Sequence, residues 1–389
     1  MNSACSRTKN LSCRGAFRMG APCSRLGSGS QLSRDVAIAA VRGLLESGCV
    51  SESPYPMSTE RLTLRFPRAE DVGALTACRN DPDVAALQDW DLPYPEQRAR
   101  ELVAAHEGIT DLAAGRGCQV MIERDGLPVG DLYVGLHEHG GVAEIGFTLA
   151  RSAQGQGIGL EAASAVVDDL VERIGVHRIA AELSPENLSS ARLLERLGMT
   201  FESHTLRSVR VRGAWDDSLQ YGMSGDEWRS WRDRVRTPPV DVRLVKITDD
   251  TFRPWTWMDV HRSQQRFVAT VEDSFVDALF PGTRYGVPLV PQFRGIEADG
   301  QPVGFIMWSE VEPRPYLWRF LVDRRHQGRG IGRRAMDLWS HAMRDLGHTE
   351  AETSWVQARG GPEAFYLALG FVPTGEYDDG EALAHLRLG

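Results

Sequence analysis

Residues 60–65 (ERLTLR) alternate apolar and polar side chains, the period of a half-buried strand. PRAEDVGALTACRN follows, with Pro67 at a first helical turn, and residues 95–114 predict a second helix. CQVMIERDGLPVGDLYV (118–134) reads as a hairpin: two apolar runs about an Asp125-Gly126 turn. GVAEIGFTLA (141–150) is a further strand, and it runs into the glycine-rich stretch QGQGIG (154–159). LEAASAVVDDLVERI continues as a helix with Leu160, Ala163, Val167, Leu170 and Val171 on one stripe. HRIAAEL (177–183) is a strand, SSARLLERLG a helix closed by Gly198, and two more strands reach Met223.

The same order then returns. DVRLVKI (241–247) is a strand, and a helical region lies near residues 254–280. FRGIEADGQPVGFIMWSE (293–310) is a hairpin about Asp299-Gly300. PYLWRFLVD is a strand running into QGRGIG (327–332). A helix, a strand, the helix PEAFYLALG and two short strands close the chain. The interval from the loop to the next helix-ending glycine, Gly159 to Gly198 and Gly332 to Gly370, differs by one residue between the copies. Matched spacing and element order predict an internal duplication at domain scale. The division expected is a first domain over 57–224, a linker over 225–240 ending near Pro238-Pro239, and a second domain over 241–389. Residues 1–56 form an extension. Met1–Arg34 hold no Asp or Glu, with arginines among Ser, Gly and Cys, a composition that does not build a core. It reads as a tail, an upstream start ahead of Met57, or a targeting segment, with a short helix over 35–45.

The 389 residues suit two domains. A net charge of −9 argues against duplex nucleic acid or an anionic membrane as the main partner. No apolar run reaches the roughly 18–20 residues of a membrane span. The six cysteines, Cys5 to Cys118, show no metal-ligand spacing and read as free thiols of a cytoplasmic protein. No metal is expected.

A glycine-rich turn from a strand into a helix presents unpaired backbone N–H groups at the positive end of the helix dipole, a geometry that holds phosphate. Neither copy ends in the GK[ST] of a Walker loop. A dinucleotide fingerprint fits loosely (Gly157, Gly159, Ala162 and Gly330, Gly332, Ala335), which keeps a nicotinamide-dependent oxidoreductase as a weaker alternative. That fingerprint belongs to a parallel βαβ unit, whereas each copy here follows an antiparallel hairpin.

The pattern Gln-x-x-Gly-x-Gly after the fourth strand, Gln154 to Gly159 and Gln327 to Gly332, resembles the pyrophosphate loop of the GNAT acyltransferase superfamily. The resemblance covers roughly residues 58–224 and 241–389. It implies an α/β (α+β) fold of two tandem domains, each a mixed, mostly antiparallel sheet flanked by helices. It implies acetyl-CoA as donor and a primary amine as acceptor, with the fourth and fifth strands splayed around the donor's arm. In the first domain, AEIGFTL and PENLSSARLLERLGM are similar to ribosomal-protein-alanine acetyltransferases. In the second, RSQQRFVATVEDSFVDAL, WRFLVDRRHQGRGIG and AFYLALGFVPTGEYDDGEALAHLRL resemble bacterial spermine/spermidine (diamine) acetyltransferases. Gly360-Gly361-Pro362 departs from that second pattern, where a polar residue is common.

The resemblance implies donor contacts by Phe147, Leu149, Gln154, Gly155, Gln156, Gly157, Ile158, Gly159, Asn187 and Ser190 in the first domain. In the second it implies Phe320, Val322, Gln327, Gly328, Arg329, Gly330, Ile331 and Gly332. Asn187 also reads as a helix cap. The resemblance implies Tyr366 as the acid that protonates the departing thiolate, the other reading being a core aromatic beside Phe365. A phenol near pKa 10 donating to a thiolate near 8.5 is uphill by about 2 kcal/mol, which a positioned hydrogen bond in a dry site offsets. The first domain has Leu194 at that place. An alkylamine must lose its proton before it attacks, so Glu144 and Glu310 are the candidate bases. Glu376, Asp378, Asp379 and Glu381 either hold the far ammonium of a polyamine or form a solvated turn. Trp255 and Trp257 are either core or a wall that stacks on a cation. The expected acceptors are a polyamine or similar small amine in the second domain and a protein N-terminus or other amine in the first. A first domain that binds donor without turnover, as sensor or structural module, is the other reading. A homo-oligomer is compatible with all of this.

Overall fold

The structure, a computed structural model, describes residues 52–389. The expectations for residues 1–51, the short helix over 35–45 included, lie outside the described residues.

The first half opens with β1 (Met57–Ser58) and β2 (Thr63–Arg65), then helices α1 (Val72–Asn80), α2 (Pro82–Ala85) and α3 (Glu96–Ala104). Helix α3 is shorter than the expected 95–114, because the chain beyond it turns at Gly108 and Gly115, left-handed at φ 75° and 73°, and meets Arg116 as strand. The hairpin β3 (Arg116–Arg124) and β4 (Leu127–Leu136) turns at Asp125-Gly126, both left-handed with φ 52° and 77°. Then come β5 (Val142–Leu149), α4 (Ile158–Asp169) with a wider π turn over Leu170–Ile174, β6 (Arg178–Leu183), α5 (Leu188–Leu197), β7 (Thr200–Val211), β8 (Ala214–Ser224) and α6 (Gly225–Arg232). The sheet order is β1-β2-β3-β4-β5-β6-β8-β7, antiparallel throughout except for β5 against β6.

The second half repeats this. It runs β9 (Val242–Val245), α7 (Arg253–Thr256), α8 (Val271–Leu279), and a small hairpin of β10 (Thr283–Arg284) and β11 (Val287–Pro288). It continues with β12 (Pro291–Ala298), β13 (Gln301–Ser309), β14 (Tyr316–Val322), α9 (Ile331–Asp345), β15 (Glu350–Trp355), α10 (Glu363–Ala368), β16 (Val372–Asp378) and β17 (Glu381–Arg387). Its main sheet runs β16-β17-β15-β14-β13-β12-β9, with β14 against β15 the parallel pair. Strand for strand, the order β2-β3-β4-β5-β6-β8-β7 matches β9-β12-β13-β14-β15-β17-β16.

Each long helix after a glycine loop supplies the core its apolar stripe promised. Ile158, Ala162, Ala163, Val166, Val167 and Leu170 pack on the first sheet, and Ile331, Ala335, Met336, Trp339 and Met343 on the second. Full burial of the Val, Leu, Ile and Met side chains among them contributes about 1.5–3 kcal/mol each. Under α1, Arg79 meets Asp131 of β4 at 3.0 Å, both sealed from solvent, with Trp90 and Tyr94 stacked on the guanidinium.

The expected linker needs one correction. Trp228 and Trp231 of α6 are buried in the first core, so residues up to Arg232 belong to the first half. Ser224 and Glu227 close the start of α6 as a reciprocal cap, and Gly198 packs directly against the Trp231 ring. The connection proper, from Asp233 to Val240, is held by second-half arginines: Arg329 donates to Thr237 O at 2.9 Å and Arg334 to Val240 O at 2.9 Å. The region 254–280 is two short helices and a tight turn at Arg262–Gln264 rather than one helical stretch.

Candidate active site

The parallel strands of each half pair briefly and then part. β5 and β6 stay in register only over Val142–Glu144 against Arg178–Ala180, and β14 and β15 only at Tyr316 and Leu317 against Glu352 and Thr353. Beyond those points each sheet opens into a V, and the glycine loop lies where the outgoing strand turns into its helix. In the second half, a register shift between Met307 and Trp308 adds Trp318 as an extra residue in β14. Such a bulge bends its strand and re-aims its side chains. The first half has no such shift between β4 and β5.

The V of the second half is a groove of about 530 Å³. Gln327, Gly328, Gly330, Ile331 and Gly332 line one end, and Tyr366, Trp355, Ser354 and Glu381 also border it. Phe320, Val322 and Phe365 line its walls, with Phe320 stacked on Phe365 at 5.7 Å between ring centroids. Gly328 and Gly330 both stand at φ 77°, and a Cβ on either would meet nothing within 4 Å. The space beside them is open to a ligand. Among the described residues, no acceptor faces the amide N–H groups from Gly328 to Arg333. The loop is therefore a set of unpaired donors at a helix start, which fits a diphosphate.

In the first half, Gly155 and Gly157 are left-handed at φ 73° and 79°, and the amides from Gly155 to Leu160 are likewise without acceptors among the described residues. Ile158 and Gly159 are buried at the start of α4, with Phe147 and Leu149 half-buried on β5. The passage is narrower here: a Cβ on Gly159 would lie 2.7 Å from Leu193 and 3.2 Å from Leu149. In the second half a Cβ on Gly332 would meet Phe365 at 3.3 Å.

Models of the GNAT acetyltransferase domain and the GNAT acetyltransferase family match residues 61–200 and 249–371, together more than half of the sequence. The chain belongs to the GNAT acetyltransferase family. It is 39% identical over 75 residues to the probable N-acetyltransferase YjcK of Bacillus subtilis, a match covering 19% of this chain and 41% of YjcK. It is 28% identical over 175 residues to the uncharacterized N-acetyltransferase p20 of Bacillus licheniformis, covering 44% of this chain and 96% of p20. It is 28% identical over 88 residues to the ribosomal protein uS5-alanine N-acetyltransferase of Escherichia coli, covering 23% of this chain and 45% of that protein. The chain thus spans less than half the length of two of these relatives.

Within these GNAT domains, several of the residues expected at the donor also make contacts inside the protein. Gln154 and Gln327 brace their own loops: each donates its amide to the carbonyl five residues back, Leu149 O at 3.0 Å and Val322 O at 2.9 Å. The Arg329 side chain turns away from the loop and is buried against the linker and His326, so only its backbone faces the groove end. Gln156 is bound from outside, its carbonyl by Arg61 at 3.1 Å and its side chain by Arg124 at 2.7 Å. Asn187 caps α5, accepting from Ser190 N at 3.1 Å.

Tyr366 is nearly buried, stacked on Trp355 at 5.3 Å and edge-on to Phe371 at 5.4 Å. Burial pushes its phenol well above the usual value, and the Thr353 hydroxyl works the other way. It is protonated at any physiological pH. Leu194, its counterpart, is sealed in the first core. Of the acidic cluster, Glu381 lines the groove and accepts from Ser354 Oγ at 2.5 Å, and Ser354 also meets the Tyr316 hydroxyl at 2.9 Å. Asp378 is paired with Arg284 at 2.8 Å, while Glu376 and Asp379 are exposed on the β16–β17 hairpin. Glu310 is exposed just past β13 and does not line the groove. Glu144 is exposed at the last position where β5 pairs with β6 and borders a surface cleft of about 480 Å³ with Tyr133, His137 and Glu138. Trp255 is packed under Gly295, and Trp257 is 73% exposed. Neither borders the groove.

Sequence reasoning missed Gln264, Trp318, Ser354 and Trp355, which complete the groove wall. The two tryptophans and Ser354 sit on strands already predicted, and only the bulge and the strand parting turn them inward. Among the described residues, no group of three or more His, Cys, Asp or Glu could hold a metal, and no helix is long and apolar enough to cross a membrane.

Proposed function

We propose that the protein is an acetyl-CoA-dependent N-acetyltransferase whose second half carries the acting site. The observation that supports this reading is one groove bordered by both the unpaired loop amides and a buried, protonated Tyr366. Acetyl-CoA is a substrate here. Its diphosphate suits the amides from Gly328 to Gly332, and its thioester arm suits the parted edges of β14 and β15. A neutral amine attacks the thioester carbonyl directly, the C–N bond forms and the C–S bond breaks, the sulfur takes its proton from Tyr366, the nitrogen sheds one through Ser354 to Glu381, and solvent returns a proton to Tyr366. Among the described residues the cysteines are Cys78 and Cys118, both in the first half, so no thiol stands ready for a covalent route in the second.

The acceptor end favours a small cationic amine. Glu381 supplies a carboxylate inside the groove, and Trp318, Trp355 and Phe365 supply aromatic faces that attract a cation. A polyamine fits, with Glu381 near the reacting end and Glu376 and Asp379 on the outer hairpin for a distal ammonium. Glu381, through Ser354, is a better-placed base than Glu310. In the first half, an acceptor such as a protein N-terminus fits the cleft of Glu144 and Tyr133, in keeping with the alanine N-acetyltransferase relative. A second reading of that half is donor binding without turnover. Leu194 in place of the tyrosine and the tight approach of Leu193 to Gly159 favour it.

The test is thiol release from acetyl-CoA by the full chain against a panel of diamines, polyamines and peptides with free N-termini. Release with a polyamine that vanishes in Tyr366→Phe supports the assignment. Turnover that survives Tyr366→Phe and is lost in Glu144→Gln would move the acting site to the first half.

A further inference from the structure

Glu52–Gly389 cluster as one unit, and the two halves meet along α5, the short helix that closes the first half's own V. From α5, Glu195 is almost fully buried and reaches into the second half, accepting from Ser263 N at 2.8 Å and Ser263 Oγ at 2.6 Å. Ser263 precedes Gln264, which lines the second groove and is locked to Gln327 by two amide hydrogen bonds of 3.0 and 3.2 Å. Gln327 in turn braces the glycine loop through Val322 O. An unbroken chain of contacts therefore runs from a first-half carboxylate to the second-half phosphate loop.

The opposite lip of the groove is pinned from the same helix. Arg192, one turn before Glu195, donates to Arg359 O at 3.1 Å, and Arg266 donates to the same carbonyl at 2.8 Å. Gly360, at φ 85°, leaves the space that the Arg192 guanidinium fills, so any side chain there would collide with it. Gly360, Gly361 and Pro362 line the groove. This is the stretch where the sequence departs from the related pattern, and the departure makes room for Arg192.

We propose that Arg192 and Glu195 of the first half are positioning residues for acyl-CoA bound in the second half, so that the second site is complete only when the first half is docked on it. The proposal rests on the acetyltransferase reading above. Arg192 acts through Arg359 and Gly360, and Glu195 acts through Ser263 and Gln264. Both order the walls of the groove and leave the reacting atoms untouched.

The experiment measures the Tyr366-dependent acetylation of a polyamine by the full chain, with KM for acetyl-CoA and kcat read separately. Arg192→Ala and Glu195→Ala are expected to raise that KM about tenfold, the scale of a typical coupling between sites, with kcat within about threefold. Arg192→Lys, which keeps one donor, should recover most of the loss. Ser263→Ala approaches the same bond from the other side, so it covers the case in which Glu195→Ala does not fold. It should raise KM severalfold, and the double variant should add nothing further. Hydrogen exchange should show the amides of 327–332 and 359–361 losing CoA-dependent protection in the same variants. A KM and a protection pattern unchanged in folded variants would overturn the proposal while leaving the activity in place. A wild-type chain with no turnover and no CoA binding would instead overturn the acetyltransferase reading.

Discussion

Replacing Tyr366 by Phe removes one oxygen and keeps the ring. The stack on Trp355 at 5.3 Å and the edge contacts with Phe365 and Phe371 at 5.4 Å survive. The loss of one hydroxyl is small against the roughly 5–15 kcal/mol of a folded domain, so the variant stays folded. The chemical loss is larger. Burial raises the Tyr366 phenol, so it is protonated and able to donate. Removing a positioned general acid costs about 10²–10⁴ in rate. The acid is needed only as the C–S bond breaks, so the loss falls on kcat, and KM for acetyl-CoA stays within about twofold. The assay is thiol release under saturating polyamine, with thermal unfolding as the control on folding. Since burial keeps the phenol protonated, Tyr366 should add no descending limb to the wild-type rate between about pH 6 and 9. A variant kcat within threefold of wild type would refute the role.

Other expectations follow from packing and charge. Gly198→Ala puts a side chain into the Trp231 ring at a left-handed φ of 102°, and should destabilise the chain by about 2–4 kcal/mol in denaturant unfolding. Arg79→Ala strands Asp131 under α1 and should cost about 3–5 kcal/mol by the same measurement, whereas a loss under 1 kcal/mol would mean the pair is dispensable. Burial, then Arg324 and Arg234, push His261 down to about 4, so in the folded chain it stays neutral while the unfolded chain takes a proton near pH 6.5. Its contribution to stability is complete above about pH 6.5 and is lost as pH falls toward 4. His261→Phe should flatten that part of the Tm-versus-pH curve, and an unchanged slope would remove His261 as its source.

Much of the fold was legible because the signals were local and stated twice. The Asp-Gly turns at 125–126 and 299–300, the stripe of Leu160, Ala163 and Val167, and the two glycine loops each carry their own geometry. The groove was legible in part. The loop glycines follow from spacing and Tyr366 from the family resemblance, but Trp318 enters through a bulge, and Ser354 and Glu381 meet only because β15 pairs with β17. Acidic residues close in sequence scattered in space: Asp378 went to Arg284, and Glu381 alone of its cluster lines the groove, since its strand β17 lies beside β15 while β16 is the outer edge strand. The roles of Arg329 and Glu195 depend on contacts more than 60 residues away, as with Thr237 and Ser263, which no local pattern encodes.

The most direct test is a crystal structure of the full chain grown with saturating CoA. The account predicts the diphosphate on the amides from Gly328 to Gly332, the pantetheine arm between β14 and β15, and the sulfur within hydrogen-bonding reach of the Tyr366 hydroxyl. CoA bound elsewhere on the chain, or a second groove left empty at saturation, would contradict it.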